Sequence, residues 1–130
     1  MNTNDNPRQH AGGEERSEAV AQAEAGATAW RAVVHAQRSA APDHADFYAL
    51  AAAVVETLQL MELLTAVLGA QVAGYGQGRA LYDDEGGDPA VRLAEAVWHV
   101  SAIGQHLAVA EWSANRFWSA IGHVGVEVTR

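Results

Sequence analysis

A heptad repeat of apolar residues near the C-terminal end of the chain limits what the chain can fold into. One column of the repeat is Leu93, Val100, Leu107, Ala114 and Ile121, and the other is Ala96, Ile103, Ala110, Phe117 and Val124. Steps that alternate between three and four residues place all ten side chains along one side of an α-helix. The pattern therefore predicts a long helix that packs along its length against another helix.

The middle of the chain offers an apolar helix that can pair with this one. Its large residues recur every seven positions at Phe47, Val54, Met61 and Leu68, with Leu50, Leu58, Leu64 and Val72 beside them. The connection that follows contains Gly74, Gly76 and Gly78, which favour a helix end and a turn. We therefore expect the two helices to fold back on each other as an antiparallel hairpin.

Start and stop signals divide the chain into three helices. Pro42 and Asp43 separate an Ala-rich first helix from the second, and Asp88 is a suitable N-cap for the third. The predicted helices are approximately 17–39, 44–73 and 89–122. We expect one helical domain over 17–130, after a disordered leader at 1–16. The predicted fold class is all-α: a helical hairpin with an additional N-terminal helix, completed into a bundle by dimerisation.

The predicted hairpin carries more large apolar side chains than one helix contact can cover. Leu60 and Leu63 lie on the side of the middle helix away from Met61, and Trp98 lies opposite the heptad of the last helix. Because a tryptophan can bury up to about 250 Å², such residues predict a second contact surface. The residues expected in this surface are Trp98, Trp112, Phe117, Trp118, Leu60, Leu63 and Val67. The N-terminal helix, a second subunit or both would cover it, and we expect a homodimer with a further, unidentified protein partner.

Composition and charge narrow the class of partner. The chain has 16 acidic and eight basic residues, a net charge of −8, and no cysteine. Duplex nucleic acid and anionic membranes both require a basic surface, so we expect no direct duplex binding. The polar N-terminus lacks the apolar segment of a secretory signal, which predicts a cytoplasmic protein. The apolar segment 47–72 is long enough to span a bilayer, but Glu56 and Glu62 oppose insertion, and we expect none.

Glutamate and histidine residues form the one candidate ligand site. His99 and His106 are seven residues apart and share a helix face, and Glu95 lies about one turn before His99. If the helices end near 73 and 89, residues whose numbers add to about 162 lie level, which places Glu62 near residue 100. The Glu-x-x-His pattern of carboxylate-bridged metal sites is absent. We therefore expect no metal, no cofactor and no catalytic residue, and keep a metal- or small-ligand-binding bundle that uses Glu62, Glu95, His99 and His106 as the alternative.

The acidic segment 83–88 resembles part of a calcium loop, because it places oxygen ligands around glycine. It lacks the alternate spacing and the distal glutamate of an EF-hand. We expect a solvated, charged connection between two helices.

Residues 115–128, NRFWSAIGHVGVEV, resemble small helical proteins encoded within actinobacterial conjugative or integrative elements. The Ala- and Arg-rich, lysine-free composition fits such a source. This resemblance implies an accessory role in plasmid maintenance or transfer and carries no site residue. The hairpin also resembles the small partner proteins of type VII secretion, although their Trp-x-Gly turn is replaced here by Gly74-Tyr75-Gly76. Together these features predict a non-enzymatic helical interaction or assembly protein.

Overall fold

The computed structural model describes residues 16–128, and within this range the chain forms three α-helices and no strand. The helices are α1 (Glu18–Ser39), α2 (His44–Gly74) and α3 (Pro89–Gly122). The predicted all-α class is confirmed, and each predicted helix end lies within one residue of the observed one. Apart from Arg16, the predicted leader lies outside the described residues.

Each helix begins directly after a capping side chain. The Ser17 hydroxyl accepts a hydrogen bond from a backbone N–H in the first turn of α1, and the Asp88 carboxylate does the same for α3. Asp43 and Asp46 form a capping box at the start of α2, each carboxylate accepting from the other residue's backbone N–H. Such caps satisfy backbone donors that have no partner inside the helix, and each is worth about 1 kcal/mol. The helix boundaries are therefore set by local residues.

The chain divides into two compact units, Met1–Pro42 and Asp43–Arg130. The division falls where the backbone is extended, at Ala40 and Asp43, because Pro42 prevents the helix from continuing. In the first unit, α1 has no buried residue, and Val34 is about half exposed.

In the second unit, α2 and α3 pack against each other, which confirms the predicted hairpin. The register follows from three close contacts: Gly69 with Val100, Gly104 with Thr65, and Gly122 with Tyr48. Level residues therefore have numbers that add to 169 or 170, and the expected value of about 162 was wrong. The reason is that the connection continues alongside α3 beyond the end of α2, so that Gly76 lies against Leu93.

One column of the α3 heptad faces α2 as predicted, and the other does not. Leu93, Val100, Leu107, Ala114 and Ile121 are all partly buried. The second contact column consists of Val97, Gly104, Glu111 and Trp118, each one residue after a member of the predicted column. The predicted members Ala96, Ile103, Ala110, Phe117 and Val124 are exposed.

The contact side of α2 is displaced in the same way. Among residues 16–128, only Ala51 and Val55 are fully buried, and Leu58, Thr65 and Val72 continue their strip. The predicted seam residues Val54, Met61 and Leu68 are exposed instead, as is Leu64, whereas Phe47 is partly buried. Close approach explains the difference, because a Cβ on Gly104 would lie 3.1 Å from the Thr65 hydroxyl. Small residues fit this contact, and the larger Met61 and Ile103 are turned outward.

Candidate interaction surface

The outward half of the two heptads forms one apolar face of the hairpin. It consists of Val54, Met61 and Leu68 from α2 and Ile103, Ala110 and Phe117 from α3, and we call these six residues the heptad face. Each lies one position before a buried or partly buried residue of the hairpin contact. Each side chain is therefore turned about 100° away from the contact, in the same direction relative to the course of its own helix. In an antiparallel pair, an equal turn in the same sense brings both sets to the same side. The register then places Val54 close to the level of Phe117, Met61 close to that of Ala110, and Leu68 close to that of Ile103.

The opposite side of the hairpin has a different character. Residues one position after the contact strip line a shallow groove there, and they are small or polar: Ala66, Ala70, Ser101, Gln105 and Ala108. Gln59 also lies on this side, and its Nε2 donates to Glu111 Oε1 over 3.0 Å. Small and polar residues therefore line this groove. Leu63, Trp98 and Trp112 also follow contact residues by one position, so this side carries large apolar side chains as well.

The heptad face is as large as the largest apolar patch on a typical soluble monomer, and such patches are often functional. Its five large side chains are between 38% and 53% exposed. They expose an apolar area on the order of 500 Å², near the upper end of what a soluble monomer shows as one patch. Patches of this size mark contact with protein or membrane.

The residues predicted as an interface do not form a single surface. Trp98, Trp112 and Leu63 are each more than 60% exposed, and Leu60 and Val67 are also exposed, on the outward surfaces of the two helices. Each tryptophan has one neighbour on its own helix: the Trp98 ring meets His99 edge-on, and the Arg116 guanidinium lies 4.9 Å from the Trp112 ring. Trp118 lies inside the hairpin contact, 5.7 Å from the Tyr48 ring. Of the predicted set, Phe117 alone belongs to the heptad face.

The four residues of the alternative metal site are not brought together. Glu62 lies beside Glu111, Glu95 pairs with Arg92 over 3.4 Å, and His99 packs on Trp98. The changed register is the reason, since it moves Glu62 away from the level of residue 100. Within residues 16–128, no group of three or more His, Asp or Glu side chains could hold a metal ion.

A carboxyl pair that sequence reasoning missed lies in the hairpin contact. The pKa of Glu62 is raised because its protonated carboxyl donates a hydrogen bond to Glu111, with burial and the Glu111 charge adding to the effect. The pKa of Glu111 is lowered because its carboxylate accepts hydrogen bonds from Glu62 and from Gln59. The hydrogen bond between the two carboxyl groups therefore moves their pKa values apart, that of Glu62 upward and that of Glu111 downward. The available signal was that each glutamate directly follows an apolar heptad residue on its helix.

The acidic connection is charged and largely exposed, as predicted, and ion pairs to Arg92 hold part of it in place. The Arg92 guanidinium contacts Asp83 over 3.1 Å, Glu85 over 2.5 Å and Glu95. The Asp83 side chain is only 5% exposed. The pKa of Asp83 is lowered, first by the hydrogen bond from the Glu85 backbone N–H and then by Arg92. Gly87 has no Cβ, which leaves room for this carboxylate.

By length and composition, α2 could also cross a membrane, and within the described residues it is the one helix that meets this test. Little of its most apolar window is buried. Its exposed apolar side chains include Leu60, Leu63 and Val67 as well as Val54, Met61 and Leu68 of the heptad face. The same residues therefore raise both possibilities, a protein contact and a membrane contact.

The described residues define a class of protein: a helical hairpin that leaves one apolar face uncovered. Comparisons of the chain with protein-family models, curated proteins and solved structures found no match. The heptad face and the charges around it are the features of the described residues that bear on function.

Proposed function

We propose that the chain is a non-enzymatic helical interaction protein whose heptad face packs against helices of a protein chain. The observation that carries this proposal is the split of both heptads into a column inside the hairpin and an exposed apolar column. A helix with two apolar columns at heptad spacing is the pattern of a bundle helix that contacts more than one neighbour. The hairpin gives each helix only one such neighbour.

The polar residues of the hairpin favour protein over membrane as the surface that the heptad face contacts. Glu62, Glu111 and Gln59 form hydrogen bonds in and beside the helix contact, midway along α2. Carboxyl groups at the depth of a bilayer centre cost about 2.5–3.5 kcal/mol each even on insertion scales. The net charge of −8 also opposes approach to an anionic lipid surface.

We also propose that the chain serves as an accessory factor of a mobile genetic element. The support is the resemblance of residues 115–128 to small helical proteins of actinobacterial conjugative or integrative elements. Phe117, a member of the heptad face, lies in this segment. The segment that carries the resemblance therefore also contributes to the surface that carries the proposed function.

Site-specific photo-crosslinking in living cells tests the protein contact. A benzoylphenylalanine residue at position 61 places the crosslinker on the heptad face, and the same residue at position 63 is the matched control on the outward side of α2. We expect position 61 to crosslink to a protein chain and position 63 to crosslink far less. Crosslinks from position 61 to lipid alone, or equal yields at both positions, would contradict the proposal.

A further inference from the structure

We propose that the chain that covers the heptad face is a second copy of this one, so that two hairpins form a four-helix bundle. This inference rests on the proposed function and names the partner of the same surface. Three observations support it: the match between levels on the heptad face, its area, and its lack of charge.

The heptad-face residues of α2 and α3 lie at matching heights along the hairpin, so the face of one copy can pack against the same face of a second copy. A two-fold axis parallel to the helices would place α2 of one copy over α3 of the other without changing any level. Met61 would then face Ala110 of the second copy, and Leu68 would face Ile103. The pair Met61 and Ala110 joins a large and a small side chain, a combination that interdigitates well.

The hairpin contact already has the spacing of a bundle core. Leu58 and Ala114 of the hairpin contact lie within one helical turn of the same level, and the next turn presents Met61 and Ala110 on the heptad face. Buried and exposed layers therefore alternate every three or four residues, as the a and d layers of a four-helix bundle do. In the same arrangement, all neighbouring helices run antiparallel, which pairs opposite helix dipoles.

The area of the heptad face fits a pair of copies. Two such faces would together bury on the order of 1,000 Å² from these residues alone, which reaches the size at which specific interfaces begin. Leu50 and Leu64 extend the face on α2, since they lie close to the same direction on the helix.

The charges of the chain do not oppose this contact. All six residues of the heptad face are uncharged, so the net charge of −8 on each copy is carried elsewhere. Gln59 lies on the opposite side, beside the groove that Glu62 lines. Two copies can therefore meet without burying a carboxylate.

The mass of the protein in solution, measured by sedimentation equilibrium, tests the inference. We expect the full chain to have twice its 13.8 kDa. The variant Met61→Lys with Ile103→Lys buries two unpaired charges and should weaken association at least about 100-fold. The matched control is Leu63→Lys with Val109→Lys, which changes residues 65% and 66% exposed on the outward surfaces and should stay dimeric. Far-UV circular dichroism checks that both variants remain helical.

A second measurement leaves the heptad face intact. Because the chain has no cysteine, Gln77→Cys gives a single spin-labelling site in the connection between α2 and α3. The proposed axis puts both connections at the same end of the bundle, so we expect a label-to-label distance below about 35 Å, as helices that pack 8–10 Å apart allow. A distance beyond about 45 Å, the length of the 31-residue α2, would overturn this arrangement.

The outcomes separate the partner from the function. A wild-type mass of one chain at hundreds of micromolar, together with crosslinks from position 61 to a different protein, would overturn the second copy and leave the proposed function standing. A single-chain mass with crosslinks to lipid alone would overturn both. The variant Leu63→Lys with Val109→Lys could dissociate while Met61→Lys with Ile103→Lys stays dimeric. That result would show that the interface lies on the outward surfaces of the helices, and it would overturn the inference.

Discussion

The carboxyl groups of Glu62 and Glu111 meet in the contact strip of the hairpin, where most neighbouring positions are apolar. Glu62 has a raised pKa, so its contribution to stability is present at low pH and is lost as the pH rises through the raised value. Glu111 has a lowered pKa, so its contribution is present above the ordinary glutamate value and is lost as the pH falls through the lowered one. The pair therefore favours the hairpin most at a pH between the lowered pKa of Glu111 and the raised pKa of Glu62.

Glu62→Gln should stabilise the hairpin at pH 7 to 8. The amide can donate to the Glu111 carboxylate at every pH, which removes the repulsion between two ionised groups. We expect a higher Tm than wild type at neutral pH and a flatter dependence of Tm between pH 5 and pH 8. Thermal unfolding followed by circular dichroism measures both, with the exposed Glu56→Gln as control. A lower Tm for Glu62→Gln at pH 7 would show that the ionised form is the one the hairpin prefers.

Single residues in the connection show why its structure was hard to foresee. The sequence shows an acidic run, and a run of this kind is usually solvated. Its order comes from Arg92, whose side chain reaches back nine positions to Asp83. Local composition contains no sign of that contact, because it depends on where the first turn of α3 lies beside the connection.

At the scale of the elements, periodicity and capping residues predicted the three helices and the hairpin. They did not predict which heptad columns of α2 and α3 contact each other. Both columns of each heptad are apolar, so spacing alone cannot tell the inner column from the outer one. Gly69 and Gly104 decide it by allowing α2 and α3 to approach closely. A close approach selects small residues for the contact, and this choice depends on the three-dimensional fit of two helices.

Gly104→Leu should destabilise the hairpin by about 1–3 kcal/mol, the usual cost of forcing a larger side chain into a packed contact. The same change at Gly26 in α1, where a Cβ would have no neighbouring side chain within 4 Å, should be neutral or should stabilise α1, because a mid-helix glycine costs about 0.5–1 kcal/mol relative to alanine. Urea unfolding followed by circular dichroism gives both values. Equal effects at the two sites would show that Gly104 does not set the approach of α2 and α3.

At the scale of the whole molecule, a net charge of −8 accompanies an uncharged heptad face, the surface proposed to join two copies. Two copies repel each other over distances comparable to the Debye length, which falls from about 30 Å at 0.01 M salt to about 10 Å at 0.1 M. Added salt should therefore reduce the repulsion without weakening any ion pair in the contact. This makes the salt dependence of association a probe of what holds the copies together.

Raising NaCl from about 10 mM to about 300 mM should tighten self-association several-fold. The reason is that screening removes the long-range repulsion between like-charged copies, while the apolar contact is unaffected. Sedimentation equilibrium across a salt series measures the Kd. Association that weakens with salt would show instead that charged groups hold the two copies together.

The scarcity of buried residues has a consequence for the lifetime of the protein in the cell. In residues 16–128 only Ala51 and Val55 are fully covered, so a hairpin by itself has little to protect it from opening and from proteases. Stability gained by pairing grows with the amount of chain present. Expression level and gene copy number would then set the lifetime of each molecule, and a chain made in small amounts would be degraded before it could accumulate.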